Sequence, residues 1–227
     1  MRRLRLRLLQ WQIGPHFLSN TLTAIQAFVR AQPALAEDLL GTLAQFARML
    51  VGWGDRPVTV AEEAAFVRVY LGLQRVRLGL RLRTRFDIDP RTHGLPIPPL
   101  LLQPLVENAV THAAAVRSEG ATLRLAVRYA CRRRFLLLGV SDDGPGLRRD
   151  GARMTAQSLS AGSGPGPGSH QGVGLQNLRL RLALAYGKGA RLRLLAPPGG
   201  GVIATLVLPL SRRARPGSRD DGADACR

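Results

Sequence analysis

The 227-residue chain is poor in several things, and each shortage excludes something. It has two cysteines, Cys131 and Cys226, too few for a disulfide scaffold or a four-ligand zinc site. One lies in a strand-like run and the other in a polar C-terminal stretch, so both read as free thiols of a reducing compartment. Lysine is nearly missing: Lys188 is the single one among 33 basic residues, the rest being arginine. Aromatic residues make up only 5%, which argues against a basic surface interleaved with stacking rings. Acidic residues number 15, leaving a formal charge of +18. That balance would suit nucleic acid, an anionic membrane face or phosphate-rich ligands. The arginines are scattered, however, and a compositional bias toward Arg, Ala, Gly and Pro accounts for them, so no nucleic-acid partner is expected.

No apolar run reaches the roughly 18 residues that a membrane span requires. The basic start, Met1 to Leu9, has neither a signal-peptide core nor a cleavage site. The chain as given is therefore expected to be soluble and cytoplasmic. Its first residues read like the middle of a helix, which leaves room for an upstream sensor. What is present is ordinary globular material, 45% apolar and 21% charged, enough for one or two domains.

Residues 4 to about 52 read as two helices. Leu9, Ile13, Phe17, Leu22, Ile25 and Phe28 approximate one stripe, and Leu35, Leu39, Leu43, Phe46 and Leu50 a second, with Gln32-Pro33 as the turn. Such a hairpin has little core of its own, so pairing with another copy is a natural way to bury its stripe. After the break at Gly52 to Pro57, Thr59 and Glu62 form a capping-box pattern that starts a third helix reaching about Leu78.

The pattern then turns to α+β. Leu80, Leu82, Phe86 and Ile88 alternate with charged residues as a half-buried strand, and Pro98-Pro99 is expected to open a helix reaching about Ala115. Leu123 to Tyr129 alternates as a second strand, and the apolar run Phe135 to Val140 suits a central one. A helix over Gly172 to Tyr186 and strands at Ala190 to Leu195 and Val202 to Leu208 complete the pattern. This order predicts helices layered on one face of a mixed sheet. Leu147 to Gln171 lacks periodicity and is rich in Gly, Ser and Pro, as expected of a lid, and Ser211 to Arg227 reads as a frayed tail. The expected division is a helical region over 1–55, an α/β sandwich over 56–210 and a tail over 211–227.

Four segments carry the chemistry. In Gln12-Ile-Gly-Pro-His16-Phe-Leu-Ser-Asn20, Gln12, His16 and Asn20 share a helix face. A neutral imidazole keeps a free lone pair that can attack phosphorus, although a helical histidine held by neighbouring amides would look the same. In the apolar helix Leu102 to His112, the polar intrusions are Glu107, Asn108 and His112. An asparagine carbonyl suits Mg²⁺, but a buried polar network explains it equally. Asp142-Asp-Gly144-Pro-Gly146 ends a strand with a carboxylate able to accept from an exocyclic amine, or is simply a turn. Gly172-Val-Gly174 enters a helix whose N-terminal N–H groups would attract phosphate, or is a plain helix start.

Taken in order, these segments resemble the LytS-like family of sensor histidine kinases. The likeness covers about residues 10 to 210. The acceptor box is similar to the family's Gln-Ile-Asn-Pro-His-Phe-Leu-Phe-Asn, with Gly14 and Ser19 as departures. Pro99 to Ala109 resembles its N box, Asp142 to Gly146 its first glycine box, and Gly172 to Asn177 with Arg181-Leu through Tyr186-Gly187 its second. The resemblance implies a Bergerat-type ATP-binding fold, shared with gyrase, Hsp90 and MutL.

It further implies that ATP is the phosphoryl donor and that Asn108 holds Mg²⁺. Asp142 would meet the adenine amine, and His112, Gly144, Gly146, Gly172, Gly174 and Leu175 would border the nucleotide. His16 would take the γ-phosphoryl group, with Asn20 and Glu107 assisting, and pass it to a response-regulator receiver domain. Members are homodimers, usually anchored in the plasma membrane by an upstream region that this chain does not contain. Arg148, Arg149 and Arg153 are candidates for neutralising phosphate. Hydrolytic relatives typically carry a glutamate one turn before the Mg²⁺ asparagine; here Pro104 stands there. The alternatives are an anti-sigma-type serine kinase, which would not need the histidine box, and a degenerate ATP-binding signalling protein.

Overall fold

The structure, a computed structural model, describes residues 15–54, 56–114, 118–130, 134–146 and 173–210. Helices α1 (Pro15–Ala31) and α2 (Pro33–Trp53) form the expected hairpin, with Gln32 leaving the helical conformation (φ −145°, ψ 71°) just before the proline. Phe17 and Ile25 point inward, but Leu22 is 47% exposed and Thr21 takes its place. The four-residue steps Phe17, Thr21, Ile25 stay on one face of a 3.6-residue helix, whereas Leu22 is turned about 100° away. The Thr21 hydroxyl remains satisfied inside by donating to the Phe17 carbonyl at 2.8 Å. In α2 the buried positions are Ala36, Leu39, Phe46 and Trp53, and Leu35 stands outside the expected stripe at 37% exposure.

A short strand β1 (Val58–Thr59) leads into α3 (Val60–Leu78) through the predicted capping box. The Glu62 N–H donates to Thr59 Oγ1 at 3.1 Å, and the Thr59 N–H donates to Glu62 Oε2 at 2.7 Å. Helix α3 is buried on several faces because it lies between the hairpin on one side and the sheet and next helix on the other. Five aromatic rings meet there. Phe17 lies 4.9 Å from Tyr70 and 5.4 Å from Phe46, while Phe46 and Trp53 each lie 4.8 Å from Phe66, ring centre to ring centre. Much of the hairpin stripe is thus covered by its own chain, rather than being left wholly for a second copy.

The strands β2 (Leu82–Ile88), β4 (Ala121–Ala130), β5 (Phe135–Asp142), β7 (Val202–Pro209) and β6 (Arg191–Leu195) form one sheet in that spatial order. Strands β2 and β4 run parallel and the other neighbours antiparallel, giving the mixed sheet expected. Leu80 does not begin β2; it sits in a 3₁₀ turn after Gly79 and is 95% exposed. Strand β3 (Pro96–Ile97) pairs with β1. Central strand β5 buries Leu136, Leu138 and Val140 while Leu137 and Gly139 stay half-buried, because helices cover a single face of the sheet.

The Pro98-Pro99 pair does not open a helix. Residues 98–102 run as an irregular turn with Leu100 at φ 58°, and α4 (Gln103–Ala109) starts later, with Pro104 as its first-turn proline. The rule that proline tolerates a first turn holds, but for a different proline. Helix α4 then widens into a π turn over Val110–Ala114. Helix α5 (Val173–Tyr186) packs on the same core through Leu178 and Leu182.

Candidate functional site

The sequence-predicted residues of the N box and first glycine box meet where α4 ends and β5 ends. Asn108 and His112 are four residues apart, both half-buried, across the junction of α4 with its π turn. A π turn of this kind is frequent at functional sites. Asp142 is the last residue of β5. Burial pushes its carboxyl above the usual range, while the Gly144 N–H, donating to Asp142 Oδ1 at 3.0 Å, pulls it down. The result is a half-buried oxygen pair poised to accept from a neutral donor.

Gly144 is a glycine for a reason the sequence did not show. A Cβ there would stand 2.5 Å from the Ala113 Cβ of the π turn, so the glycine box packs directly against the N-box helix. Beneath it, the Gly201 N–H donates to the Gly144 carbonyl at 2.8 Å. Gly201 has φ 77°, and a Cβ on it would stand 2.1 Å from the Asp142 carbonyl oxygen. The run Gly199-Gly200-Gly201 was the available signal for this support and the sequence reading passed over it. Gly146, at φ 80°, lies against Gly200 and Gly201 of the same run.

Glu107 is half-buried on α4, and the Gln103 amide donates to its Oε2 at 2.8 Å. Burial raises its carboxyl above the ordinary glutamate range, so it is the more basic for it, with Gln103 offsetting part of the rise. Its charge also acts on the buried Tyr70 phenol, which the Gln74 amide meets at 2.8 Å. Tyr70 in turn packs on Phe17, the residue after His16. Gln103 was missed from sequence, although its spacing of four from Glu107 was legible.

His16 is the second residue of α1, followed four positions later by the half-buried Asn20. On α5, Leu175 is buried, whereas Gly174 is exposed and a Cβ on it would meet nothing within 4 Å. Gln12, Gly14, Gly172, Cys131, Cys226 and the segment Leu147 to Gln171, with Arg148, Arg149 and Arg153, lie outside the described residues. Among the described residues, no group of three or more His, Cys, Asp or Glu could hold a metal ion. A divalent ion here would take Asn108 and draw its other ligands from phosphate and water, which is how Mg²⁺ is usually bound. The residues present fit that ion and a nucleotide.

Residues 4–82 match the histidine kinase family, and residues 99–212 match the histidine kinase-, DNA gyrase B-, and HSP90-like ATPase family. The chain belongs to the histidine kinase-, DNA gyrase B-, and HSP90-like ATPase family. Over 143 residues it is 33% identical to the sensor histidine kinase/phosphatase LytS of Staphylococcus aureus strain MRSA252. That stretch is 63% of this chain and 24% of LytS, so the chain spans about a quarter of the curated relatives it matches. The histidine kinase domain of the Erythrobacter litoralis EL346 blue-light activated kinase superposes with a TM-score of 0.50 at 18% identity, covering 94% of this chain and 97% of that one. Full-length ShkA in complex with AMPPNP gives a TM-score of 0.50 at 18% identity, covering 85% of this chain and 40% of its own. These two likenesses concern the fold. Membership in that ATPase family carries ATP use with it. Among the described residues, no helix is long and apolar enough to cross a membrane.

Proposed function

We propose that this chain is the kinase core of a sensor histidine kinase of a two-component system. The observation that carries the reading is the packing of Gly144, two residues after Asp142, on Ala113 of the π turn that follows Asn108, on a body whose α3 also seats the His16 hairpin through Phe17 and Tyr70. In this reading residues 1–55 form the acceptor region and residues 56–210 the ATP-binding region. Asp142 accepts from the adenine amine, and Gly144, Gly146, Gly172, Gly174 and Leu175 border the nucleotide. Asn108 holds Mg²⁺, which would screen the phosphate charge.

The chemistry falls to His16. One imidazole nitrogen uses its lone pair to form the P–N bond to the γ-phosphorus while the bond to the β,γ-bridging oxygen breaks and ADP leaves. The proton on the other ring nitrogen passes to a base, for which Glu107 is placed by Gln103 and made more basic by burial. Asn20, one turn along α1, orients the ring. Positioning and charge stabilisation supply most of the catalysis in such a transfer. The phosphoryl group then moves to an aspartate of a response-regulator receiver domain.

A homodimer fits the second apolar stripe on each hairpin helix: Leu18, Leu22 and Val29 on α1, and Leu40 and Val51 on α2, all at least 40% exposed. The core works in the cytoplasm, attached through an upstream sensor region to the membrane. Incubation with γ-labelled ATP tests the reading. Acid-labile, base-stable label that disappears in His16→Ala is expected. Acid-stable label on a partner serine would favour the serine-kinase alternative, and no transfer at all a degenerate binding protein.

A further inference from the structure

Two charged side chains lie deep in the core, outside the site just described. Glu63, in the first turn of α3, is 0% exposed, and Arg181, in α5, is 5% exposed. Both reach the same short turn. Glu63 Oε1 accepts the Leu102 N–H at 3.2 Å. The Arg181 guanidinium donates to the Leu100 carbonyl at 2.8 Å and also to the Pro99 carbonyl. In its ionised form Glu63 is attracted by Arg181. Two helices remote in sequence therefore hold one piece of backbone, one by its N–H and the other by its carbonyls.

That backbone needs holding. Leu100 has φ 58°, a conformation that a leucine rarely adopts. Leu100, Leu101 and Leu102 are 4%, 0% and 0% exposed, so water cannot satisfy the polar groups freed by the turn. The turn runs straight into α4, whose first residue Gln103 fixes Glu107 and whose later residues include Asn108 and His112. Its direction sets the direction of the N-box helix.

The pair is a poor way of merely holding a fold together. Glu63 Oε2 is buried with no hydrogen-bond partner, and burial pushes the carboxyl up to about 7 against the pull of the backbone N–H groups and Arg181. Buried ion pairs are often replaceable by apolar residues without loss of stability. What apolar residues cannot do is grip a backbone N–H and two carbonyls at once. Helix α3, which carries Glu63, also carries Phe66 and Tyr70 against the acceptor hairpin. Helix α5, which carries Arg181, also carries Gly174 and Leu175.

We propose that Glu63 and Arg181 are a positioning pair for phosphoryl transfer: through the turn Pro99 to Leu102 they fix α4, and with it Glu107 and Asn108, relative to the acceptor hairpin. This rests on the kinase reading above. Asp142 sits on β5, a different element, so adenine contact depends on the pair only indirectly, through the packing of Gly144 on Ala113. Loss of the pair then lowers the rate of transfer more than the affinity for nucleotide.

The test uses the full chain and the variants Arg181→Met, Arg181→Lys, Glu63→Gln and the double variant Glu63→Gln with Arg181→Met. His16 labelling from γ-labelled ATP gives kcat and KM, and thermal unfolding gives stability. Misplacement of reacting groups by about 1 Å can cost about a hundredfold. Arg181→Met is therefore expected to lower kcat about tenfold to a hundredfold with KM within about threefold. Arg181→Lys, a point charge without the two-pronged fork, should not restore the rate. Glu63→Gln keeps a carbonyl oxygen for the Leu102 N–H, so it should fold and show a milder fall, and it carries the test if Arg181→Met does not fold. The double variant should be no slower than the slower single one, as for two residues acting as a unit. Unchanged kcat in folded variants would overturn the proposal, and so would kcat and KM worsening together in step with lost stability. An unlabelled wild-type chain is a different result and would overturn the kinase reading itself.

Discussion

The junction between the hairpin and α3 and the body of the sheet are held by different side chains. Phe17, Phe46, Trp53, Phe66 and Tyr70 crowd the junction, five of the 11 aromatic residues in the chain. The sheet packs on Leu123, Leu125, Val127, Leu136, Leu138, Val140, Leu206 and Leu208 without a buried ring among its strands. The few large rings concentrate the attachment of the acceptor hairpin in a handful of contacts, each worth more than its area alone. The many aliphatic contacts of the sheet spread its stability over the whole face. The difference separates the hairpin that carries His16 from the sheet that carries Asp142.

The largest expected effects fall on chemistry and leave this division intact. Asn108→Ala should abolish label on His16 while the hairpin remains docked, because Asn108 is half-buried and takes no part in the ring cluster. Asp142→Ala should weaken binding of a non-hydrolysable ATP analogue, measured by calorimetry. Full activity in both variants would remove the site from this end of the sheet. Free phosphate release extends the same argument. Pro104 stands in the first turn of α4, one turn before Asn108, and has no side-chain proton acceptor. Water therefore lacks a base there, and release should fall in His16→Ala, since most of it would pass through the histidine. Release that persists undiminished in that variant would mean an ATPase.

The motifs around the proposed site residues stand out in the sequence for a physical reason. His16, Asn108 and Asp142 each stand in a short run whose neighbours are fixed by local geometry, so the run could be read without the fold. The capping box at Thr59 and the alternation of β4 were legible on the same ground. Long-range partnerships were not. Nothing near Leu100 announces a left-handed leucine, since the turn is held by Glu63 and Arg181 from distant helices. The all-round burial of α3 hides its periodicity, and the inward turn of Thr21 in place of Leu22 depends on what α1 packs against. The close fit of Gly144 on Ala113 is likewise a contact between elements that the chain order does not pair.

Paired core truncations would sharpen the comparison. Phe46→Ala removes a ring that is 1% exposed and touches Phe17, Phe66 and Tyr70, and should cost about 3–5 kcal/mol. Leu138→Ala, at 0% exposure in the central strand, should cost about 2–5 kcal/mol. The costs overlap, but the consequences should not. Folded Phe46→Ala is expected to keep nucleotide affinity and lose His16 labelling, because only the hairpin is loosened. Folded Leu138→Ala should lose affinity as well. Equal loss of affinity in both would show that hairpin and sheet unfold as one cooperative unit.

The smallest effects sit at the boundary itself, where two adjacent glutamates respond to acid in opposite senses. Glu62 closes the capping box and accepts from Arg56 at 2.9 Å, and these hydrogen bonds hold its carboxyl below the usual value. A carboxyl lowered in the folded state contributes stability that is present above the unfolded value of 4.5 and is lost as pH falls through the folded one. Glu63 is raised by burial to about 7, so the folded chain keeps a proton that the unfolded chain has released. Its contribution therefore declines as pH rises from 4.5 to about 7. Thr59→Ala should cost about 1 kcal/mol through the lost cap, and Glu62→Ala should flatten the acid limb of the unfolding midpoint below pH 4.5. Glu63→Gln should instead flatten the decline between pH 4.5 and 7 and leave the acid limb in place. The two limbs moving together in either variant would show that the neighbouring carboxyls titrate as one coupled group, and that the cap and the buried pair with Arg181 are not independent.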